Sequence, residues 1–164
     1  MSLRYPEEVT VESQTKKAQE RINRYQVELD VVKKALPIIA KYEGKKITKH
    51  IITALLKEFE GARIWLDDQY GMLHINIATN DIKIGDHVHM LVGFHTSQNT
   101  INIEYIKQKN QCYLLNEERI PKLKAGIEHI GKIVAIRNEI IEKYKTMTEL
   151  AEKYEFDYDF DFGK

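Results

Sequence analysis

Three histidines and one glutamate have the types and spacing that could hold a metal ion. His87 and His89 are two positions apart, so on a β-strand their side chains would share one face of the sheet. His74 and Glu104 are expected on that face of the neighbouring predicted strands, with His74 opposite Leu91 and diagonal to His89. Diagonal neighbours lie about 7–8 Å apart at the backbone, within reach of one shared Zn²⁺ or Fe²⁺. These four residues are therefore candidate ligands of a mononuclear metal site, which is the alternative to a polar sheet face that holds histidines without a metal.

Other signs of catalysis are scarce. The eight glycines are scattered, so there is no phosphate-binding glycine loop, and no Gly-x-Ser-x-Gly motif occurs. Leu91 and Trp65 interrupt the polar row, and no second partner is evident to orient the imidazoles. We therefore expect no catalysis and no cofactor, and keep a zinc- or iron-dependent enzyme as an alternative.

The same predicted sheet face could bind a nucleic acid. Trp65 and His74 could stack on bases, and Arg63 lies close enough in sequence to meet a phosphate. Further lysines cluster around the predicted turn at Gly44: Lys41, Lys45, Lys46 and Lys49. The chain has no zinc-ligand cysteine pair, glycine-rich clamp or arginine-rich segment, so nucleic-acid binding is a second alternative.

An acidic and aromatic segment ends the sequence. Its aromatic residues alternate with aspartates and are Phe156, Tyr158, Phe160 and Phe162. Six acidic residues and two lysines give residues 149–164 a net charge of −4, and the formal charge of the chain is zero, so residues 1–148 carry +4. An isolated strand is unstable, so this tail, residues 155–164, is predicted to dock on a partner, for example as an added edge strand.

A long amphipathic helix over about 7–43 is the main element that must position these groups. Its apolar positions follow steps of three and four residues, the heptad pattern of a coiled coil. They are Val11, Thr15, Ala18, Ile22, Tyr25, Leu29, Val32, Leu36 and Ile39. Pro37 lies inside this pattern and predicts a kink, and Gly44 predicts the end of the helix.

The remaining elements follow from changes of period. Apolar residues at helical spacing predict a shorter helix over 47–60, and alternation of period two over 62–115 predicts a four- to five-stranded antiparallel meander. Helical spacing returns over 121–145. The Thr146–Glu149 capping pattern predicts a last helix over 147–154. Gly126 and Gly131 would allow another element to approach this predicted helix over 121–145 closely.

These elements predict an α+β fold in one domain over residues 1–154. The long N-terminal and C-terminal helices would pack together around the inserted sheet, with one shorter helix beside it. Because the first heptad seam is longer than its partner helix, its uncovered end predicts a homodimer.

The single cysteine, Cys112, excludes an intrachain disulfide, and its place in a predicted strand indicates a buried thiol. No apolar run approaches the ~20 residues of a membrane span, so we expect a cytoplasmic protein with no membrane partner. Taken together, the helical seam, the sheet face and the tail predict a protein that binds or assembles with another macromolecule, most simply another protein.

Overall fold

The structure, a computed structural model, describes residues 9–59, 61–67, 72–78, 87–94 and 99–155, without the side chains of residues 64–67, 78, 87 and 94. The helices are α1 (Val11–Ala40), α2 (Lys49–Glu58), α3 (Ile103–Lys109), α4 (Gln111–Leu114), α5 (Asn116–Gly126) and α6 (Ile130–Lys153). A 3₁₀ turn at Ile127–His129 separates α5 from α6, and the strands are β1 (Arg63–Asp67), β2 (Met72–Ala78) and β3 (His87–Phe94). Helices and an antiparallel sheet make this an α+β fold, as the sequence predicted.

The helix α1 buries most of the predicted heptad seam from Ile22 onward, whereas Val11 at its start is 47% exposed. Its N-terminus is capped by Thr10, whose hydroxyl accepts a hydrogen bond from the Ser13 N–H at 3.1 Å. The seam residues that are buried are Ile22, Leu29, Val32, Leu36 and Ile39. The helix continues past Pro37 to Ala40, and the chain then turns at Gly44, which has a φ of +75°.

Close contacts group the chain into two units. One contains Met1–Gln19 and Ala125–Lys164, and the other contains Glu20–Lys124. In the first unit, the Asn138 side chain donates to the Val9 carbonyl at 3.0 Å. The single domain predicted for residues 1–154 stays a prediction.

In the second unit, α1 contacts the beginning of α5. The Asn116 side chain, which is buried, donates to the Tyr25 carbonyl and to the Glu28 carboxylate, each at 3.3 Å. Lys33 also forms an ion pair with Glu117.

The sheet has the strand order β1-β2-β3, and both pairs of strands are antiparallel. Its inward side chains are buried and include Leu73, Ile75, Ile77, Val88, Met90 and Val92. They belong to one core with Val32 and Ile39 of α1, and with Leu55 of α2. The alternation read from the sequence in these three segments is therefore the division between the core and the outer face.

The predicted fourth and fifth strands are wrong, because residues 103–109 and 111–114 form α3 and α4. Asn102 caps α3 by accepting a hydrogen bond from the Tyr105 N–H at 3.0 Å. Ile103 and Ile106 then fall three residues apart, and Ile106 is fully buried. A capped helix therefore buries apolar residues of a segment that the alternation had assigned to a strand.

Side chains cover the edge of β3 where a fourth strand would have paired. The Asn110 side chain accepts from the Leu91 N–H at 3.0 Å and donates to the Leu91 carbonyl at 2.8 Å. The Tyr113 hydroxyl donates to the His89 carbonyl at 2.9 Å. These bonds replace a strand ladder with side-chain partners, which protects the edge from pairing with another chain.

The C-terminal helices also differ from the prediction. A helix begins at Asn116, with Pro121 inside it, and α6 runs through the predicted break near Thr146. The Thr146 and Thr148 hydroxyls donate to the carbonyls of residues 142 and 144, at 3.0 and 2.9 Å, instead of capping a new helix. Within the described part of the chain, no helix has the combination of length and apolar character that crossing a membrane requires.

Candidate functional site

The outer sheet face has the register that the sequence predicted. His74 lies opposite Leu91 and therefore diagonal to His89, and Trp65 lies opposite His74. Asn76 lies between Arg63 of β1 and His89 of β3.

The fourth predicted metal ligand is not on this face. Glu104 lies in the first turn of α3, where its carboxylate is 3.0 Å from the Lys107 ammonium group and 83% of its side chain is exposed. No three His, Cys, Asp or Glu side chains of the described residues are close enough to share a metal ion. The placement of Glu104 on a strand is therefore wrong. Metal binding by His74, His87 and His89 stays a prediction, since the His87 side chain lies outside the described part.

The nucleic-acid candidates are distributed over two places in the second unit. Arg63 is exposed on β1, and the Trp65 side chain lies outside the described part. The Asn76 side-chain oxygen is buried on the outer sheet face and has no hydrogen-bond partner among the described residues.

The lysine cluster lies beside a short bridge between residues 44–47 and 99–101, held by backbone bonds of 2.9 Å. Lys45, Lys46 and Lys49 are exposed. The Lys45 ammonium group lies 5.6 Å from the centroid of the Tyr42 ring, so this lysine also contacts its own chain.

The outward face of α6 carries an apolar stripe that the sequence reading missed. Its members follow steps of three and four residues, with one step of seven across Lys143. We call them the α6 stripe: Ile133, Ile136, Ile140, Met147, Leu150 and Tyr154. Ile133 and Ile140 are 60% and 61% exposed, and Ile136, Leu150 and Tyr154 are also about half exposed or more. In other proteins, a row of large exposed apolar side chains on one helix is a common feature of interaction surfaces.

The buried side of the same helix accounts for the missed stripe. Val134, Ile141, Thr148 and Ala151 are buried. In the sequence, Ile140 and Ile141 are adjacent and can be taken for one apolar stripe, but adjacent helical residues point about 100° apart. The 3-4-3-4 spacing from Ile133 to Tyr154 was the available signal.

Basic groups accompany the α6 stripe. Lys143 occupies the one heptad position between Ile140 and Met147 that is not apolar, and it is 2.8 Å from Glu139. The hydrogen bond and the charge of this lysine lower the pKa of Glu139 below its ordinary value. Arg137 lines a shallow groove together with Ile133, Ile136 and Ile140.

The helix α6 ends where the acidic and aromatic tail begins. Glu155 follows Tyr154 with a φ of +55°, the left-handed conformation that commonly terminates helices. The predicted docking residues Phe156, Tyr158, Phe160 and Phe162 lie outside the described part of the chain.

The prediction for Cys112 is wrong. Its side chain is exposed on α4, because the segment forms a helix that turns this residue outward.

Comparison of the chain with protein families, curated proteins and solved structures finds no match.

Proposed function

We propose that this protein acts by binding another protein through the α6 stripe. The observation that supports this function is the row of exposed isoleucines at positions 133, 136 and 140, which continues at heptad spacing to Tyr154. Burying one such side chain contributes about 1.5–3 kcal/mol, so three or four of them could hold a partner segment. Catalysis has no part in this proposal.

The charge beside the stripe indicates the chemistry of the partner. Lys143 interrupts the apolar row, and its side chain is 75% exposed. If two copies of α6 paired antiparallel through this stripe, their Lys143 residues would face each other, and like charges at a seam are unfavourable. A segment that combines acidic with apolar residues would instead bury the isoleucines and pair with the lysine.

The predicted homodimer therefore has a different basis from the α6 stripe. It rests on the end of the α1 seam, where Val11 is 47% exposed, together with the predicted packing of the two long helices. Light scattering over a range of protein concentrations tests it. A monomer at every concentration would contradict it.

Selection of short random peptides by display tests the proposed function. Peptides are selected on the wild-type chain after depletion on an Ile140→Glu variant. The enriched sequences are expected to combine acidic residues with aromatic or aliphatic ones. Ile140→Glu is expected to reduce their affinity by at least about tenfold, since a charge placed at the contact loses one apolar anchor.

An Ala135→Glu variant is the matched control, because Ala135 is exposed on the same helix outside the stripe. It introduces the same charge and is expected to leave peptide affinity near that of the wild type. The proposal is wrong if no peptides are enriched, or if Ile140→Glu and Ala135→Glu weaken binding equally while both retain the wild-type circular dichroism spectrum.

The outer sheet face supports a second candidate, binding of single-stranded nucleic acid. Trp65 and His74 are opposite each other in the register, and the buried Asn76 side-chain oxygen has no hydrogen-bond partner within the described part of the chain. An Arg63→Gln variant should weaken oligonucleotide binding and lower its dependence on salt concentration by about one unit of slope. Absence of salt-dependent binding by the wild type would remove this candidate.

A further inference from the structure

We propose that residues 156–162 of this chain occupy the C-terminal half of the α6 stripe, from Ile140 to Tyr154, when no partner is bound. This inference rests on the proposed function, since it requires the α6 stripe to be a binding surface. The inference adds to the proposed function that a segment of the same chain binds the stripe, and that external partners should resemble this segment in composition.

The composition of the segment is complementary to the stripe. In extended backbone, alternate side chains share one face, so the aromatic residues at 156, 158, 160 and 162 can all face the helix. The three intervening aspartates then carry the opposite charge to Lys143 and Lys153, which are both exposed. Lysine side chains are long enough to reach past the side of a bound segment to carboxylates on its outer face.

The geometry of the helix end determines how far the segment can reach. The chain leaves the helical path at Glu155, where φ is +55°. Ile140 lies 15 residues back along α6, or about 22 Å at the helical rise. Seven extended residues span at most about 23–25 Å. If the segment folds back along the helix, it can therefore cover Leu150, Met147 and Ile140.

A segment of this length cannot cover the N-terminal half of the α6 stripe. Ile133 lies about 33 Å from Glu155 along the helix, beyond the span of the seven residues. The groove beside Arg137 would stay accessible at Ile133 and Ile136. A partner could therefore make its first contact there, and a longer acidic and aromatic segment could then displace the internal one.

Methyl NMR of the full-length chain tests this arrangement, with the isoleucine δ1 methyl groups as probes. A double variant, Tyr158→Ser with Phe160→Ser, removes two aromatic contacts. The Ile140 methyl resonance is expected to move, because loss of these two contacts releases the segment and with it the ring of Phe162, the residue that reaches Ile140. The Ile133 resonance is expected to stay in place, since the segment does not reach it. Phe160→Leu keeps an apolar side chain at position 160 and is the matched control, expected to leave the segment bound and the Ile140 resonance near its wild-type position.

A synthetic peptide with the sequence of residues 156–162 gives the second measurement. A tethered segment has an effective concentration in the millimolar range, so it competes strongly with the added peptide. The peptide is therefore expected to bind the double variant at least about tenfold more tightly than the wild type. Adding Ile140→Glu to the double variant should remove that binding.

Three outcomes would overturn the inference. The first is an Ile140 resonance that does not move in the double variant. The second is equal peptide affinity for the wild type and the double variant. The third is a shift that disappears on dilution together with a dimeric mass, because the segment would then come from a second copy.

Failure of this inference can be distinguished from failure of the proposed function. Selected peptides that bind the stripe, together with an unmoved Ile140 resonance, would refute only the internal occupant. A moved resonance without any selected peptide would refute only binding of an external partner.

Discussion

Asn110 is the residue whose removal should best show how the sheet edge is held. Its side chain is 2% exposed and makes three hydrogen bonds. Two join the Leu91 backbone, at 3.0 and 2.8 Å, and one joins the Ile106 carbonyl at 2.7 Å. Among the described residues β3 lies at the edge of the three-stranded sheet, so none of these residues forms a strand beside Leu91 that could replace these partners.

The substitution Asn110→Ala is expected to lower the free energy of unfolding by about 3 kcal/mol. Each hydrogen bond contributes roughly 1 kcal/mol net, and the Leu91 N–H and carbonyl would also be left buried without partners. The Ile106 carbonyl keeps its bond from the Asn110 backbone N–H at 3.0 Å, so it adds little to the cost. Stabilities of small proteins are about 5–15 kcal/mol, so the variant should still fold.

Urea denaturation followed by tryptophan fluorescence is the appropriate assay, because the single tryptophan, Trp65, is on β1 of the same sheet. With a slope of about 1.5 kcal/mol per molar urea, the expected shift of the midpoint is about 2 M. Hydrogen exchange of the Leu91 amide should also become faster.

Asn102→Ala is the matched control. Asn102 is exposed and makes one capping bond to the Tyr105 N–H, so its loss should cost about 1 kcal/mol. If Asn110→Ala costs no more than Asn102→Ala, the side chain does not hold the edge of β3, and this account of why the fourth strand is replaced is wrong.

Three further predictions concern single positions. Gly131→Ala should raise the thermal midpoint, with a gain of about 0.5–1 kcal/mol, since an added Cβ meets nothing within 4 Å; a lower midpoint would indicate a close neighbour at this position. Tyr113→Phe should cost about 1 kcal/mol by removing the bond to the His89 carbonyl. Burial raises the pKa of Tyr113. Stabilisation by this hydroxyl should therefore persist below pH ~10 and be lost as the pH rises through the raised pKa. If the urea midpoint of the wild type has the same alkaline profile as that of Tyr113→Phe, this expectation is wrong. Cys112 should react with Ellman's reagent in the native protein at nearly the rate of the unfolded chain, whereas reaction only in denaturant would show a buried thiol.

Under the two proposals made above, the α6 stripe would be a binding site that residues 156–162 of the same chain regulate. An exposed row of isoleucines is a liability in a crowded solution, because it attracts any apolar chain. A tethered segment of matched pattern would reduce such contacts at the Ile140 end, while Ile133 stays accessible to a partner with the right charge. The display and NMR experiments test these two roles separately.

The sequence by itself determined the elements whose pattern admits one solution. The seam of α1 spans 30 residues, and only a helix places its apolar residues on one side. Alternation over three segments predicted β1, β2 and β3, and the turns between them predicted that His74 lies opposite Leu91. In both cases the period of the pattern fixes the face that is buried, so no distant contact was needed.

Tertiary structure decided the cases in which local patterns allow two solutions. The five residues from Ile101 to Tyr105 alternate in polarity like a strand. The chain nevertheless forms the helix α3 from Ile103, because Asn102 caps it and its Ile106 side chain is buried in the core. The side chain of Asn110, distant in sequence from Leu91, then satisfies the edge of β3.

The α6 stripe depended on the same kind of choice. The helix offers two apolar stripes of similar length, and burial of Val134 and Ile141 leaves Ile133 and Ile140 outside. Sequence periodicity describes both stripes equally well. Which one becomes core is decided by the residues that pack against the helix, because only packing contacts with the rest of the chain distinguish the two faces.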